Sequence, residues 1–357
     1  MSLAPGGAYL RLASDGTLRV SGAGADGADH RIERLSRMRA LLGSGEEHGV
    51  APTPALAFGG HGRYDQSVPA SLAHLPLTGD LAPYGWRIGP GASHDWREAS
   101  READRLMDAA RIAFFGYEGP LQLTRLGPVA LASATFTAAG ERVLSDPGLL
   151  ADLPFVLAEA LGRAAGSVRA MVPGAAPRLL IDERSATAAV LGRVPTASGY
   201  RTYAPLGPRR FGELLAPLLT ETHTHIEAPA CVALTPLHDI VTAALDAGSR
   251  SLALDPTAGD LANLGRTWET LAAARESGVE LTFLVPAHRL REAGMHALTA
   301  WRRLGYGPRE AAGFGFATSR SPRSDLSRAL PPEAFTTSAD LDALRRYAVE
   351  VVDTLAG

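Results

Sequence analysis

Carboxylates and imidazoles gather where apolar runs of this chain end, and those places set the chemistry it is equipped for. In Leu180-Ile181-Asp182-Glu183-Arg184, an apolar run delivers two consecutive carboxylates beside a guanidinium. Successive residues of a strand point to opposite faces, so only one of the two acids faces a shared pocket. That acid would hold a substrate ammonium or act as a general base; the bland alternative is a strand end in which it pairs with Arg184. In Thr222-His223-Thr224-His225-Ile226-Glu227, residues His223, His225 and Glu227 alternate and share one face if the segment is extended. Two imidazoles and a carboxylate would hold a divalent ion with one further ligand, and Asp255, closing Leu252-Ala253-Leu254-Asp255, is the natural candidate. The competing reading is a set of solvated or hydrogen-bonded polar residues at a strand edge.

Other motifs are weaker. Gly22-Ala23-Gly24-Ala25-Asp26-Gly27 fits G-x-G-x-x-G, but among 38 glycines such spacing arises easily, Asp26 would repel a pyrophosphate, and no Rossmann half follows. The H-x-H pair also marks metal-dependent amidohydrolases, where it ends the first barrel strand; here it falls late, and the histidines after it, His238, His288 and His296, lie in or beside helical patterns. Cys231 could be a nucleophile or a soft ligand, although a single cysteine is more often a small buried hydrophobe. Trp86 could stack on a flat ligand, with core packing the commoner use.

The elements that must position these residues alternate in the manner of βα units around a parallel sheet. Strand patterns cover 120–126, 178–182, 223–227, 251–255, 279–285 and 313–317, and helical patterns cover 146–172, 209–219, 236–247, 263–276, 289–304 and 339–355. Two more strands at 17–21 and 55–58 would complete the eight of an α/β, (β/α)8 TIM-type barrel, in which side chains at the C-terminal strand ends converge on one face. The chain of 357 residues is expected to form a single TIM-barrel domain, with 81–357 as its main body and 1–80, rich in Gly, Pro, Ala and Ser, as an irregular N-terminal segment.

Composition narrows the function classes. With 46% hydrophobic residues, 20% charged residues and a net charge of -3, the chain lacks the basic balance of a nucleic-acid binder. One cysteine excludes an internal disulfide and a zinc site built on two thiolates. No apolar run is long enough for a membrane span, and MSLAPGGAY lacks the features of a signal peptide, so the expected location is cytoplasmic.

Several segments together resemble the C-terminal catalytic domain of cobalamin-independent methionine synthase, of the UROD/MetE-like superfamily. They are Gly119-Pro120-Leu121-Gln122-Leu123, Gly127-Pro128-Val129-Ala130-Leu131, Gly140-Glu141-Arg142 and Leu144-Ser145-Asp146-Pro147-Gly148, with Leu180-Ile181-Asp182-Glu183 standing for the family's Q-x-D-E-P strand and Val194-Pro195-Thr196-Ala197-Ser198-Gly199-Tyr200 for the loop after it. The likeness covers roughly residues 80 to 305. It implies a barrel that binds homocysteine as a zinc thiolate and a methylated folate as methyl donor, a transferase of methionine biosynthesis. It also implies that Asp182, with Glu183 beside it, holds the substrate ammonium and that Ser21, in Ser21-Gly22-Ala23-Gly24-Ala25, meets the substrate carboxylate.

The zinc pair H-x-C falls on His225 and Glu227, the carboxylate ligand on or near Asp255, and the last cysteine on Ser338, with Thr318-Ser319 as the other placement. The zinc site is therefore degenerate: loss of both cysteines leaves His225, Glu227 and Asp255, with His223 as a further ligand, a harder set that suits zinc, manganese or ferrous iron, or no metal. One expectation is a methyltransferase acting on a thiol such as homocysteine. The alternatives are an inactive or repurposed relative that binds a small ligand or a partner protein, and a different metal-assisted reaction, decarboxylation, in the same mouth. Convergence of His223, His225, Glu227 and Asp255 would favour an enzyme; splaying, or salt bridges to Arg184 or Arg201, would favour a binding protein.

Overall fold

Parallel strands cannot be joined by tight turns, so each apolar run here must be followed by a crossover that returns the chain to the same edge. The computed structural model describes residues 10–20, 28–59, 62–263, 265–307, 310–311, 313–319 and 335–356. In chain order its elements begin with β1 (Leu10–Ser14), α1 (Ala28–Leu42), β2 (Val50–Pro52), α2 (Ser67–Leu72), β3 (Gly79–Ala82), β4 (Gly85–Ile88) and α3 (His94–Ala113). There follow β5 (Gly119–Leu126), α4 (Pro128–Ala134), β6 (Phe136–Thr137), α5 (Pro147–Met171), β7 (Ala175–Asp182), α6 (Ala186–Val190) and α7 (Gly207–His223). The last are β8 (Cys231–Leu234), α8 (His238–Asp246), β9 (Ser251–Leu254), α9 (Arg266–Glu276), β10 (Glu280–Val285), α10 (Leu290–Arg303), β11 (Phe314–Thr318) and α11 (Ser338–Ala356).

Eight parallel strands form one sheet in the order β2-β1-β11-β10-β9-β8-β7-β5. The free edges meet just beyond β2, where Ala55 bridges Gln122 of β5: Leu56 N–H donates to the Gln122 carbonyl at 2.8 Å and Gln122 N–H to that of Pro54 at 2.9 Å. The sheet is thereby curled into the (β/α)8-type barrel that the alternation of patterns predicts. A small second sheet, β3-β4-β6, lies outside it.

Large side chains favour one face of the barrel wall. Leu10 and Leu12, Leu179 and Ile181, Val232 and Leu234, Leu252 and Leu254, Leu281 and Phe283, and Phe314 and Phe316 alternate toward the helices and join the main hydrophobic core. The opposite parity packs separately inside the barrel as Leu180, Ala233, Ala253, Leu284 and Ala317, with Ala13 and Cys231 against them. Four of those seven are alanines, so the lumen is thinly filled compared with the bulky branched layers usual in such barrels.

The N-terminal strands begin earlier than the sequence pattern places them, at Leu10 and Val50 instead of 17 and 55. Among the described residues the expected stretches make only isolated bridges, Thr17 to Phe58, Arg19 to Thr337 and Ala55 to Gln122. Gly16 turns the chain between β1 and Thr17 with φ +82°, and a Cβ there would lie 2.1 Å from the Thr124 hydroxyl, so the close approach requires glycine.

The expected strand at 223–227 is absent. Leu218, Thr222 and Ile226 are buried at a spacing of four, Thr222 Oγ1 donates to the Leu218 carbonyl at 2.8 Å, and Ile226 N–H donates to the Thr222 carbonyl at 3.0 Å. The segment ends α7 and turns, and the strand lies later, at β8.

Candidate functional site

The C-terminal end of β7 brings Asp182 to the barrel mouth, fully buried and on the inward parity shared with Leu180. Its carboxylate is already engaged. Arg184 folds back on it in a bidentate pair, Nε to Oδ1 at 2.9 Å and Nη2 to Oδ2 at 2.8 Å. The same guanidinium donates through Nη1 to Ser319 Oγ at 2.6 Å, and its Nη2 stands 3.9 Å from Asp15. Thr235, just past β8, donates to the Arg184 carbonyl at 2.9 Å. Burial works against the Arg184 charge, but Asp182 first and then Asp15 and Asp255 outweigh it and hold the guanidinium above its ordinary pKa.

Asp15 is itself fixed, its Oδ1 accepting from Thr17 N–H at 3.1 Å, Thr17 Oγ1 at 2.7 Å and Thr336 Oγ1 at 3.3 Å. Asp255, beyond β9, folds into a local turn in which Oδ1 accepts from both the N–H and the hydroxyl of Thr257 at 2.8 Å. The mouth thus centres on one guanidinium surrounded by three aspartates and several hydroxyls.

Glu183 faces away from this cluster. Its Oε1 accepts from Val129 N–H at 2.9 Å and its Oε2 from Ala130 N–H at 2.7 Å, which satisfies two orphan donors at the start of α4. Burial lifts its carboxyl to about 8, with the two backbone donors opposing that rise. Gly127 makes the arrangement possible, because a Cβ there would lie 2.3 Å from Glu183 Oε1. In this structure Glu183 caps a helix and does not reach the space beside Asp182.

The grouping of His225, Glu227 and Asp255 is not formed. Helices of a βα barrel run back from the mouth, so the end of α7 with His223, and the turn after it with His225 and Glu227, lie at the N-terminal end of the strands, whereas Asp255 lies at the C-terminal end. All three α7-end residues are exposed. Among the described residues no three His, Cys, Asp or Glu side chains are placed to hold a metal ion. The donor set that the methionine synthase resemblance implies for zinc therefore does not fit here. Ser338 opens α11, where Thr337 and Asp340 cap one another, with Thr337 N–H donating to Asp340 Oδ2 at 2.8 Å. Ser21 lies outside the described residues.

One mouth residue is given no role by the sequence pattern, which only places it in or beside a helix. His238 follows β8 at the start of α8; its Nε2 accepts from Arg266 Nε at 2.7 Å and its backbone N–H donates to Asp260 Oδ2 at 2.6 Å. An Nε2 that accepts leaves the proton on Nδ1, which is buried without a hydrogen-bond partner among the described residues. The signal was the apolar run Cys231-Val232-Ala233-Leu234, which ends four residues before this histidine. Cys231 starts that run at the N-terminal end of β8, half-buried, where desolvation pushes its thiol up to about 11 and leaves little thiolate at neutral pH. Trp86 packs edge-on against Tyr64 and Trp96 in the core.

An α/β barrel of eight parallel strands, with polar side chains converging at its C-terminal face, is the class of protein defined here. The chain is similar to a B12-independent methionine synthase from Shewanella sp. W3-18-1 in complex with selenomethionine, at 12% identity and TM-score 0.48, over 97% of this chain and 98% of that one. It is also similar to TcOYE with pHBA, at 12% identity and TM-score 0.40, over 87% and 85%. At these identities the likenesses say nothing about chemistry. No family model matches the chain, and no curated protein matches it by sequence. No described helix is long and apolar enough to cross a membrane.

Proposed function

We propose that this chain is a small-molecule-binding barrel whose C-terminal mouth no longer performs methyl transfer on a metal-bound thiolate. The observation that carries this reading is the bidentate Asp182–Arg184 pair: the acid that would hold a substrate ammonium is neutralised by a guanidinium two residues away, locked in turn by Ser319. A buried carboxylate held this way gives up an internal partner only to a ligand that replaces it on both groups. The ligand favoured is small and polar, offering hydrogen-bond donors to Asp255 and to the hydroxyls of Thr235 and Thr257 around it.

Methyl transfer to a thiol such as homocysteine is the second reading, supported by the position of Asp182 at the mouth. The two part on one sample: untagged protein purified without chelator, its metal content measured and homocysteine titrated into it calorimetrically. The binding-protein reading expects neither stoichiometric metal nor heat from the thiol. Near-stoichiometric zinc together with thiol binding would overturn it and restore the transferase.

A further inference from the structure

The thin lumen is also a cavity, and it opens at the end of the barrel opposite the mouth. About 280 Å³ is enclosed by inward positions of all eight strands, among them Ala13, Ala51, Leu180, Ala253, Leu284 and Ala317. Its ceiling is Gln122, whose Nε2 donates to the Ser14 carbonyl at 2.8 Å and to Thr124 Oγ1 at 3.2 Å. Its entrance lies among the loops that lead into β2, β5 and β8, at Gly45, Glu118 and Pro229. An engineered apolar cavity of about 150 Å³ takes up benzene, so this space is large enough for a chain of about eight carbons.

The throat is charged. The inward-facing strand positions there carry two guanidinia, Arg11 and Arg178, against one carboxylate, Glu280; Glu46 and Glu118 stand on the loops at the solvent rim. Arg11 pairs with Glu280 and donates through Nε to the Gly313 carbonyl at 3.3 Å, which leaves its Nη2 buried with no hydrogen-bond partner among the described residues. A buried donor without an acceptor costs free energy that a ligand acceptor would recover. Arg178 is exposed at the rim, with no hydrogen bond or ion pair among the described residues.

We infer that the barrel lumen is a second binding site, entered from the N-terminal end, for an aliphatic monocarboxylate of medium chain length. The tail lies against the alanine-lined wall, and the head group accepts from Arg11 Nη2 and Arg178. This site is independent of the mouth and does not rest on the function proposed for it.

The chain carries its own reporter, because its single cysteine, Cys231, lines the cavity. Modification of Cys231 in the full-length protein by a small neutral thiol reagent, followed by intact mass at a pH of about 9, measures access to the lumen. Octanoate is expected to slow modification about tenfold, octanol less, and octylammonium not at all. Arg178→Gln, at the exposed rim, should raise the half-protecting concentration of octanoate about tenfold and leave that of octanol unchanged. Ala253→Leu, if it folds, should remove protection by filling the lumen. The inference is overturned if octanoate gives no protection, or if all three amphiphiles protect equally and Arg178→Gln changes none of them.

Discussion

Arg184 decides what the mouth can do. It stands where the resembled family has proline, and its side chain returns to the carboxylate two residues before it, in a pair that is 9% and 1% exposed. Removing one partner of a buried pair strands the other charge, whereas replacing both with neutral groups removes the desolvation burden as well. Arg184→Ala is therefore expected to cost about 3–5 kcal/mol in urea unfolding, and Asp182→Asn combined with Arg184→Gln distinctly less. If the single and double variants lose the same stability, the pair is not what holds Asp182. Glu183, one residue away, shows how sharply strand parity divides roles: its neighbour faces the mouth, and it faces a helix end.

At the scale of elements, that helix end gives the molecule a pH dependence. The Glu183 carboxyl titrates at about 8 in the fold, against 4.5 for an ordinary glutamate. The folded state thus holds the proton more tightly than the unfolded chain does. Its contribution to stability is complete below about 4.5 and is lost as the pH rises through about 8. Urea midpoints measured across that window should fall with rising pH, and Glu183→Gln should flatten the slope. An unchanged slope in the variant would assign the effect to another group. The α7 end makes a second point about elements. His223, His225 and Glu227 alternate as a strand would, yet the buried series Leu218, Thr222 and Ile226 keeps a helical spacing through the same residues. Burial follows the apolar period, and the polar alternation sits on the outside of a turn.

For the whole molecule, the barrel has two ends with different chemistry. The mouth holds Asp15, Asp182, Arg184 and Asp255, while the opposite end leads into an alanine-lined lumen behind Arg11 and Arg178. His225 and Glu227 belong to the second end and Asp255 to the first, so no ion can bridge them. A ligand that binds only the folded state raises the melting temperature by mass action. Neither chelator nor added zinc is therefore expected to move the melting temperature by more than about 1 °C in differential scanning calorimetry. A shift of several degrees with zinc would mean that a metal site is assembled from other groups.

The sequence by itself determined most of the alternation of elements from β5 to α11, with β8 misplaced onto 223–227, because runs such as Leu252-Ala253-Leu254 and the apolar stripe of α5 are local patterns that secondary structure reads directly. It also put Asp182 at a strand end, with Arg184 in reach as the bland alternative. Only the tertiary structure decided the rest. Which of two adjacent acids enters the mouth depends on the parity imposed by the sheet, and whether His225 and Asp255 meet depends on which end of the barrel each connection reaches. The start of β1 was hidden because its pairing is with β11, some 300 residues away, and its short run has little period of its own. The cavity was equally hidden: Ala13, Ala253 and Ala317 are unremarkable one at a time, and they leave a space only because closure of the barrel points them at a common axis.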